Sequence, residues 1–210
     1  MLTQELKVPN KLEELTLGQY QKFNKALSGD PDNDFLHKKT IEIFCGVDMA
    51  EVSNYKYTSI TQVVGILNKM FEEKPKLINR FTHNGKEYGF VPKLDDLTFG
   101  EFVDLDLLMG DWETMDEAFG ILFREVKDSK KNKYTIVDYN PNKTISMEFM
   151  PLNVALGALF FLQSLNEELT SHMLDYLEKE AKNLPTPQRE YLTKTLDGIP
   201  LSTKKHNRTK

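Results

Sequence analysis

Leu12–Tyr20, with the sequence LEELTLGQY, returns 82 positions later as Leu94–Phe102, with the sequence LDDLTFGEF. Every substitution between the two stretches keeps the residue type. Two further pairs of stretches match on either side, Val8–Leu12 with Val91–Leu94, and Ile43-Phe44 with Leu122-Phe123 after a three-residue deletion. Self-similarity at a fixed offset is the signature of a duplicated structural unit. We therefore interpret Leu12–Tyr20 and Leu94–Phe102 as a first and a second repeat of one module.

Each repeat carries the signature of a helix N-terminus. Thr16 and Thr98 stand where N-cap residues belong, and Gln19 and Glu101 follow three residues later. This is a capping box, in which the hydroxyl and the longer side chain satisfy two backbone N–H groups that the helix leaves free. The acidic pair shortly before each threonine is typical of solvated charges at the positive end of a helix, not of a catalytic pair. The pattern predicts a helix that begins at both threonines with similar geometry.

A second helix is expected after each repeat, so that each module becomes an αα-hairpin preceded by an extended segment. The first of these helices is expected to begin at Asp34 and to end at Gly46, and the second to begin at Asp111 or Thr114. Their apolar faces are formed by Phe35, Leu36, Ile41 and Phe44 and by Phe119, Leu122 and Phe123. A hairpin of this size cannot bury its apolar stripe alone, so the two modules are expected to pack on each other or on longer helices.

Two longer helices follow from helical spacing of apolar residues. One is predicted over Ser59–Glu73, capped by Thr58 and ended by Pro75. The other begins at Pro151 and continues to about Lys182, and its first half is apolar nearly all round, as in a central core helix. Its second half carries a stripe, Leu169, Met173, Tyr176 and Leu177, that suits a partner helix, although packing within the chain is the favoured interpretation.

Strands are indicated in two places. Arg80–His83 and Lys86–Val91 flank Asn84-Gly85, which is the strongest short-range signal for a β-hairpin with a type I′ turn. A weaker pair joins Tyr134–Val137 to Thr144–Met147, and the basic run Lys127–Lys133 before it is interpreted as a solvated loop.

The predicted fold is mainly α with one or two β-hairpins (α+β), built from a duplicated extended-segment–αα-hairpin module plus two long helices. Residues 1–75 hold the first module and a long helix. Residues 76–184 hold the hairpin, the second module and the core helix, packed with the first part as one globular unit. Residues 185–210 are expected to form a short helix and a basic C-terminal tail.

Composition narrows the class of protein. The 210 residues are 40% hydrophobic and 28% charged, which excludes a fully disordered chain and a polytopic membrane protein. The net charge of −5 argues against a uniformly basic nucleic-acid coat. A single cysteine cannot form an internal disulfide, which indicates a reducing compartment. The first twelve residues lack the apolar run of a secretory signal. The apolar stretch Leu152–Leu165 is too short to cross a bilayer. No membrane contact is expected.

No motif assigns chemistry to the chain. His37, His83, His172 and His206 lack the spacing of a zinc site, and Asp30–Asp34 lacks the later ligands of a calcium loop. Cys45 is expected to be a structural thiol, since it lies among apolar residues near a predicted helix C-terminus. We therefore assign no catalytic, cofactor-binding or metal-binding residue and expect a non-enzymatic protein.

The C-terminus concentrates positive charge. Residues 199–210 contain no acid and carry Lys204, Lys205, Arg208 and Lys210. Such a segment suits weak contact with DNA or with an acidic partner surface. A solubilising, flexible terminus is the favoured interpretation.

The order of segments resembles small proteins from the structural gene clusters of tailed bacteriophages, including crAss-like phages. The similar stretches are Leu15–Tyr20, Phe71–Leu77, Phe90–Phe102, Gly110–Trp112 and Met150–Ala158. The resemblance implies a virion protein, made in the host cytoplasm, that forms a cyclic homo-oligomeric ring in the portal–tail assembly and touches neighbouring portal or tail proteins. The virion protein is the favoured interpretation, and the alternative that the resemblance implies is a tail assembly chaperone that binds an unassembled tail protein and is absent from the mature particle. A host adaptor or enzyme accessory domain is a third, less favoured hypothesis.

Overall fold

The computed structural model describes residues 6–131, 133–143, 145–181 and 185. The chain divides into two compact units, Met1–Ala158 and Leu159–Lys210. The short helix and basic tail predicted for 185–210 lie, beyond residue 185, outside the described residues.

The described chain is mainly helical with one antiparallel sheet of four strands, which confirms the predicted α+β class. The helices are α1 Leu17–Leu27, α2 Asn33–Cys45, α3 Met49–Val52, α4 Tyr57–Phe71, α5 Phe99–Leu108, α6 Met115–Leu122 and α7 Leu152–Ala181. The strands are β1 Arg80–His83, β2 Lys86–Phe90, β3 Phe123–Lys130 and β4 Lys133–Ile136, in the order β1-β2-β3-β4.

Both repeats fold locally as the sequence predicts. Each opens with a single 3₁₀ turn, Leu12–Glu14 or Leu94–Asp96, and then caps a helix. The Thr16 hydroxyl accepts from the Gln19 N–H at 3.2 Å, and the Thr98 hydroxyl accepts from the Glu101 N–H at 3.3 Å. The reciprocal bonds to the threonine N–H groups are 2.9 and 2.7 Å long. The prediction of two capping boxes is confirmed.

The two modules pack on each other, as expected. The Gln21 amide on α1 donates to the Trp112 carbonyl and to the Asp116 carboxylate, both at 2.8 Å. Lys25 pairs with Glu113 at 2.9 Å. Beside these polar links lies one aromatic cluster, formed by Tyr20, Phe23, Phe44, Phe71 and Trp112.

The sheet grows from the predicted Asn-Gly hairpin. Asn84 and Gly85 have φ values of 49° and 76°, as a type I′ turn requires. Strand β2 pairs next with β3, and Tyr134 on β4 reaches across β3 to donate its hydroxyl to the Phe90 carbonyl at 2.6 Å. Gly89 permits this crossing, because any Cβ there would overlap the Tyr134 ring.

The prediction of a second hairpin, between Tyr134–Val137 and Thr144–Met147, is wrong about the strand that pairs with Tyr134–Val137. Strand β4 pairs with β3, and the described residues Ile145–Met147 form no strand. The run Lys127–Lys133, expected to be a loop, is strand over Lys127–Lys130 and again at Lys133. Lys130 and Lys133 face each other across a connection of two residues, which joins antiparallel strands more directly than the longer loop after Ile136.

Two helix N-caps also differ from expectation. Helix α2 is capped by Asp32, whose carboxylate accepts from the Phe35 N–H at 2.7 Å, and not by Asp34. Helix α4 begins at Tyr57, so Thr58 lies inside its first turn. Gly46 ends α2 with φ 70°, as predicted.

Helix α7 confirms the predicted core helix over its first part. Leu152, Val154, Ala155 and Ala158 are buried, and Gly157 lets the Lys76 carbonyl approach the helix where any Cβ would clash. In the second unit, by contrast, Leu169, Met173 and Tyr176 are more than half exposed, whereas Leu177 is partly buried. The favoured interpretation that this stripe packs within the chain is therefore wrong for those three residues. Among the described residues, no helix is long and apolar enough to cross a membrane.

Candidate protein-binding surface

The first repeat is covered by another part of the chain. Residues Glu148–Leu152, here called the closing segment, lie along the start of α1. The Leu17 N–H donates to the Met150 carbonyl at 2.8 Å, and the Gly18 N–H donates to the Glu148 carbonyl at 2.9 Å. In return, the Leu152 N–H donates to the Leu15 carbonyl at 2.9 Å. These bonds form a short antiparallel bridge that leaves the Leu17 side chain fully buried.

The same positions of the second repeat are open. Phe99, which corresponds to Leu17, is 84% exposed. A Cβ built on Gly100 would meet nothing within 4 Å, whereas a Cβ on Gly18 would lie 3.0 Å from the Glu148 Cβ. Within the described residues, no hydrogen bond to protein is made by the Phe99 N–H, the Gly100 N–H or the Leu97 carbonyl. The second repeat therefore presents the same backbone groups without a closing segment.

Helix α5 extends this open site into an apolar surface. Phe99, Phe102, Val103 and Leu107 are all exposed, Leu107 by 75%. Their spacing of three, four and eight residues places them on one helix face, about 12 Å long at 1.5 Å per residue. We call this face the α5 stripe. Single exposed apolar residues are ordinary, but a contiguous apolar face of this kind marks a surface that binds another molecule.

Acidic residues surround the α5 stripe. The stretch from Leu94 to Glu117 contains nine Asp or Glu residues and no Lys or Arg. The equivalent stretch of the first module, Leu12–Phe35, has five acids and two lysines. Six of these nine acids, including Asp95, Asp106 and Asp111, are exposed. Two of the exposed acids pair with lysines outside the stretch, Asp96 with Lys93 and Glu113 with Lys25. The surface therefore suits a partner that combines apolar and basic residues.

The inner side of α5 is fixed by a buried ion pair. The Glu101 carboxylate accepts from the Arg124 guanidinium at 2.8 Å, and their side chains are only 4% and 14% exposed. The same carboxylate accepts from the Thr98 N–H and hydroxyl at 2.7 Å. Farther along the helix, Asp104 accepts a hydrogen bond from the Tyr139 hydroxyl. The α5 stripe is thus presented on a helix held firmly from behind.

Sequence reasoning missed this ion pair. It assigned Glu101 only to the capping box and did not single out Arg124. A signal was present, since Gln19 and Cys45 occupy the corresponding positions of the first module, so both changes in the second module introduce a charge. In the first module the Gln19 amide donates instead to the Ile43 carbonyl at 2.8 Å.

The residues considered for metal or thiol chemistry are not part of the α5 stripe or of the acidic stretch around it. His37 lines an open cleft of about 250 Å³ between α2 and α4, and His83 stacks on Phe149 with ring centroids 4.1 Å apart. His172 is exposed, and His206 lies outside the described residues. Burial raises the pKa of the Cys45 thiol to about 11. In the part of the chain that the structure describes, no three His, Cys, Asp or Glu side chains are grouped to hold a metal ion.

The two candidate contact regions predicted from the sequence are the basic C-terminal tail and the apolar stripe of α7. Lys204, Lys205, Arg208 and Lys210 of the basic tail lie outside the described residues. Of the α7 stripe, Leu169, Met173 and Tyr176 are exposed and Leu177 is partly buried.

Fold and surface together describe an α+β protein with an exposed, acid-rimmed helix. Comparison of the chain with family models, with curated proteins and with solved structures finds no match.

Proposed function

We propose that the protein is a non-enzymatic structural subunit of a tailed-bacteriophage particle, and that it works as a homo-oligomeric ring in the portal–tail assembly. The observation that carries the assembly role is the α5 stripe, an apolar helix face that is exposed while the opposite side of the helix is anchored by the Glu101–Arg124 ion pair. The phage assignment is supported by the resemblance in segment order.

A ring suits the distribution of exposed apolar surface. The α5 stripe belongs to the first unit, and Leu169, Met173 and Tyr176 form a separate exposed stripe in the second unit. Subunits that join through two different patches make head-to-tail contacts, which produce a ring when the rotation closes. A single self-complementary patch would instead favour a two-fold dimer.

Quantitative mass spectrometry of purified particles from the encoding phage tests this proposal. We expect the protein in the particle at a fixed copy number that matches a cyclic symmetry. Absence from particles combined with abundance in infected cells would overturn the proposal and would favour the tail assembly chaperone.

A pair of variants links the test to the surface. Phe99→Ser and Leu107→Ser remove apolar area from the α5 stripe without opening the core, so the chain should fold and fail to enter particles. Ile66→Ser on α4 is the matched control, because Ile66 is also an exposed apolar helix residue outside the stripe. Normal incorporation of both stripe variants would remove α5 from the proposed interface.

A further inference from the structure

The closing segment has a second version near the C-terminus. Met147–Asn153 reads MEFMPLN, and Leu196–Ser202 reads LDGIPLS. Residue type is kept at six of the seven positions, and the Pro-Leu pair that crosses the first repeat is identical. The exception is Gly198 in place of Phe149, whose ring stacks on His83 of β1, outside the repeat. The residues of the closing segment that contact the first repeat are therefore the ones that Leu196–Ser202 shares with it.

The second repeat offers the groups that such a segment would use. On the first repeat the segment accepts from two successive N–H groups at the helix start and donates to the carbonyl that precedes the cap. The corresponding groups are the Phe99 and Gly100 N–H groups and the Leu97 carbonyl, and Gly100 leaves room for a backbone to approach. In the docked state the Ile199 carbonyl would accept from the Phe99 N–H, and the Asp197 carbonyl would accept from the Gly100 N–H. The Leu201 N–H would donate to the Leu97 carbonyl.

Charge makes the match specific. After Asp197 the chain contains no further acid and ends with four basic residues, Lys204, Lys205, Arg208 and Lys210. The stretch Leu94–Glu117 around the α5 stripe holds nine acids and no Lys or Arg. Three of these acids pair with Lys93, Arg124 and Lys25 from outside the stretch, and the other six include the exposed Asp95, Asp106, Asp111 and Glu117. An apolar anchor followed by a basic run complements an apolar stripe with an acidic rim.

We propose that Leu196–Ser202 of one subunit docks on the second repeat of its neighbour, in the way that the closing segment covers the first repeat, with the basic run that follows it against the acidic rim. The inference rests on the proposed homo-oligomer and supplies its contact. Because each subunit donates one segment and accepts another, the contact is head-to-tail and propagates around a ring.

Two full-length variants test the contact by sedimentation velocity. Gly100→Gln fills the space that a docked backbone would need, and Leu201→Asp removes the apolar anchor. We expect the wild-type chain to self-associate and each variant alone to lose at least about tenfold in association constant, as expected for removing a central anchor. Gly65→Gln on α4 is the matched control, since a Cβ on Gly65 also meets nothing within 4 Å.

Mixing the two variants gives the sharpest outcome. The Leu201→Asp chain keeps an open second repeat, and the Gly100→Gln chain keeps an intact segment, so the mixture should form a one-to-one dimer that grows no further. A synthetic peptide of residues 196–210 should compete with this dimer, and more weakly as salt is raised. A mixture that stays monomeric would contradict the proposal.

Other outcomes separate this inference from the proposed function. Wild-type rings that survive both substitutions would refute the docked segment and leave the ring subunit standing. A wild-type chain that is monomeric at every concentration would refute the docked segment as well. Absence from phage particles, measured separately, would refute the ring subunit itself.

Discussion

The two repeats share a sequence pattern and a local structure, yet only one of them is buried. Leu17 of the first repeat is fully buried beneath the closing segment, whereas Phe99 at the same position of the second repeat is 84% exposed. The caps, the 3₁₀ turns and the first helical turns are alike. The difference shows that local hydrogen bonds fix where a helix begins, while a distant segment decides whether that helix is core or surface.

A second difference between the repeats is how the inner sides of α1 and α5 are attached to the rest of the chain. In the first module a neutral amide, Gln19, reaches the end of the following helix at the Ile43 carbonyl. In the second module a carboxylate, Glu101, reaches beyond the corresponding helix to the guanidinium of Arg124 on β3. The exposed helix is thus attached to the sheet through a charged pair, and the covered helix to α2 through a neutral hydrogen bond.

The largest expected effect comes from removing that attachment. Glu101→Ala should lower the free energy of unfolding by about 4 kcal/mol, because it leaves Arg124 buried without its counter-charge. Gln19→Ala breaks only neutral hydrogen bonds and should cost about 1 kcal/mol. Urea denaturation measures both. Equal losses would show that the ion pair adds nothing beyond the amide contact.

A paired replacement serves as the control for charge. Changing Glu101 and Arg124 together to Leu removes both buried charges, and should recover much of the stability lost in the single variant. Asp96→Ala removes an exposed acid paired with Lys93 at 3.7 Å, and should stay within about 0.5 kcal/mol of the wild type.

The next effect contrasts the two equivalent apolar positions. Leu17→Ala should cost about 3 kcal/mol, because it opens a cavity beneath the closing segment. Phe99→Ala should change the free energy of unfolding of the monomer by less than about 0.5 kcal/mol, because the ring is exposed. Thermal or urea unfolding at low protein concentration makes the comparison. A large loss for Phe99→Ala would mean that α5 is covered within the monomer.

Sequence reasoning could predict those features that depend on neighbouring residues. The caps at Thr16 and Thr98 and the turn at Asn84-Gly85 rest on bonds or φ values within a few residues, so the pattern alone predicts them. The failure at β3 and β4 has the opposite cause. Lysines fill the run before Tyr134 and hide its strand character, and only its pairing in the sheet reveals it.

The candidate site was less predictable than the fold for the same reason. Leu17 and Phe99 are both apolar residues at the same place in one motif, so the sequence pattern predicts the same burial for both. Whether each of them is buried depends on Glu148–Leu152, which lies far along the chain and covers only the first repeat. The Glu101–Arg124 pair spans 23 positions and two kinds of element, and no local spacing rule indicates it.

A smaller effect should be the same in both repeats. Thr16→Ala and Thr98→Ala each remove an N-cap, and each should cost about 1 kcal/mol. The two losses should agree closely, because the caps are local and do not depend on what covers the helix. A much larger loss for Thr98→Ala would mean that the hydrogen bond from the Thr98 hydroxyl to Glu101 is needed to hold the ion pair in place.

The last comparison concerns Cys45, which occupies in the first module the position that Arg124 has in the second. Burial raises the pKa of its thiol from 9.0 to about 11, so the folded chain holds about a hundredfold less thiolate at pH 8 than a free thiol would. Alkylation by iodoacetamide should be slow at pH 8 and rise towards pH 11, and the chain unfolded in urea should react at the ordinary rate. Because the pKa is raised on folding, the folded state loses stability as the pH rises from 9 towards 11. Equal alkylation rates in the folded and unfolded chains at pH 8 would show that the thiol is open to solvent, and that the neutral module is looser than its charged counterpart.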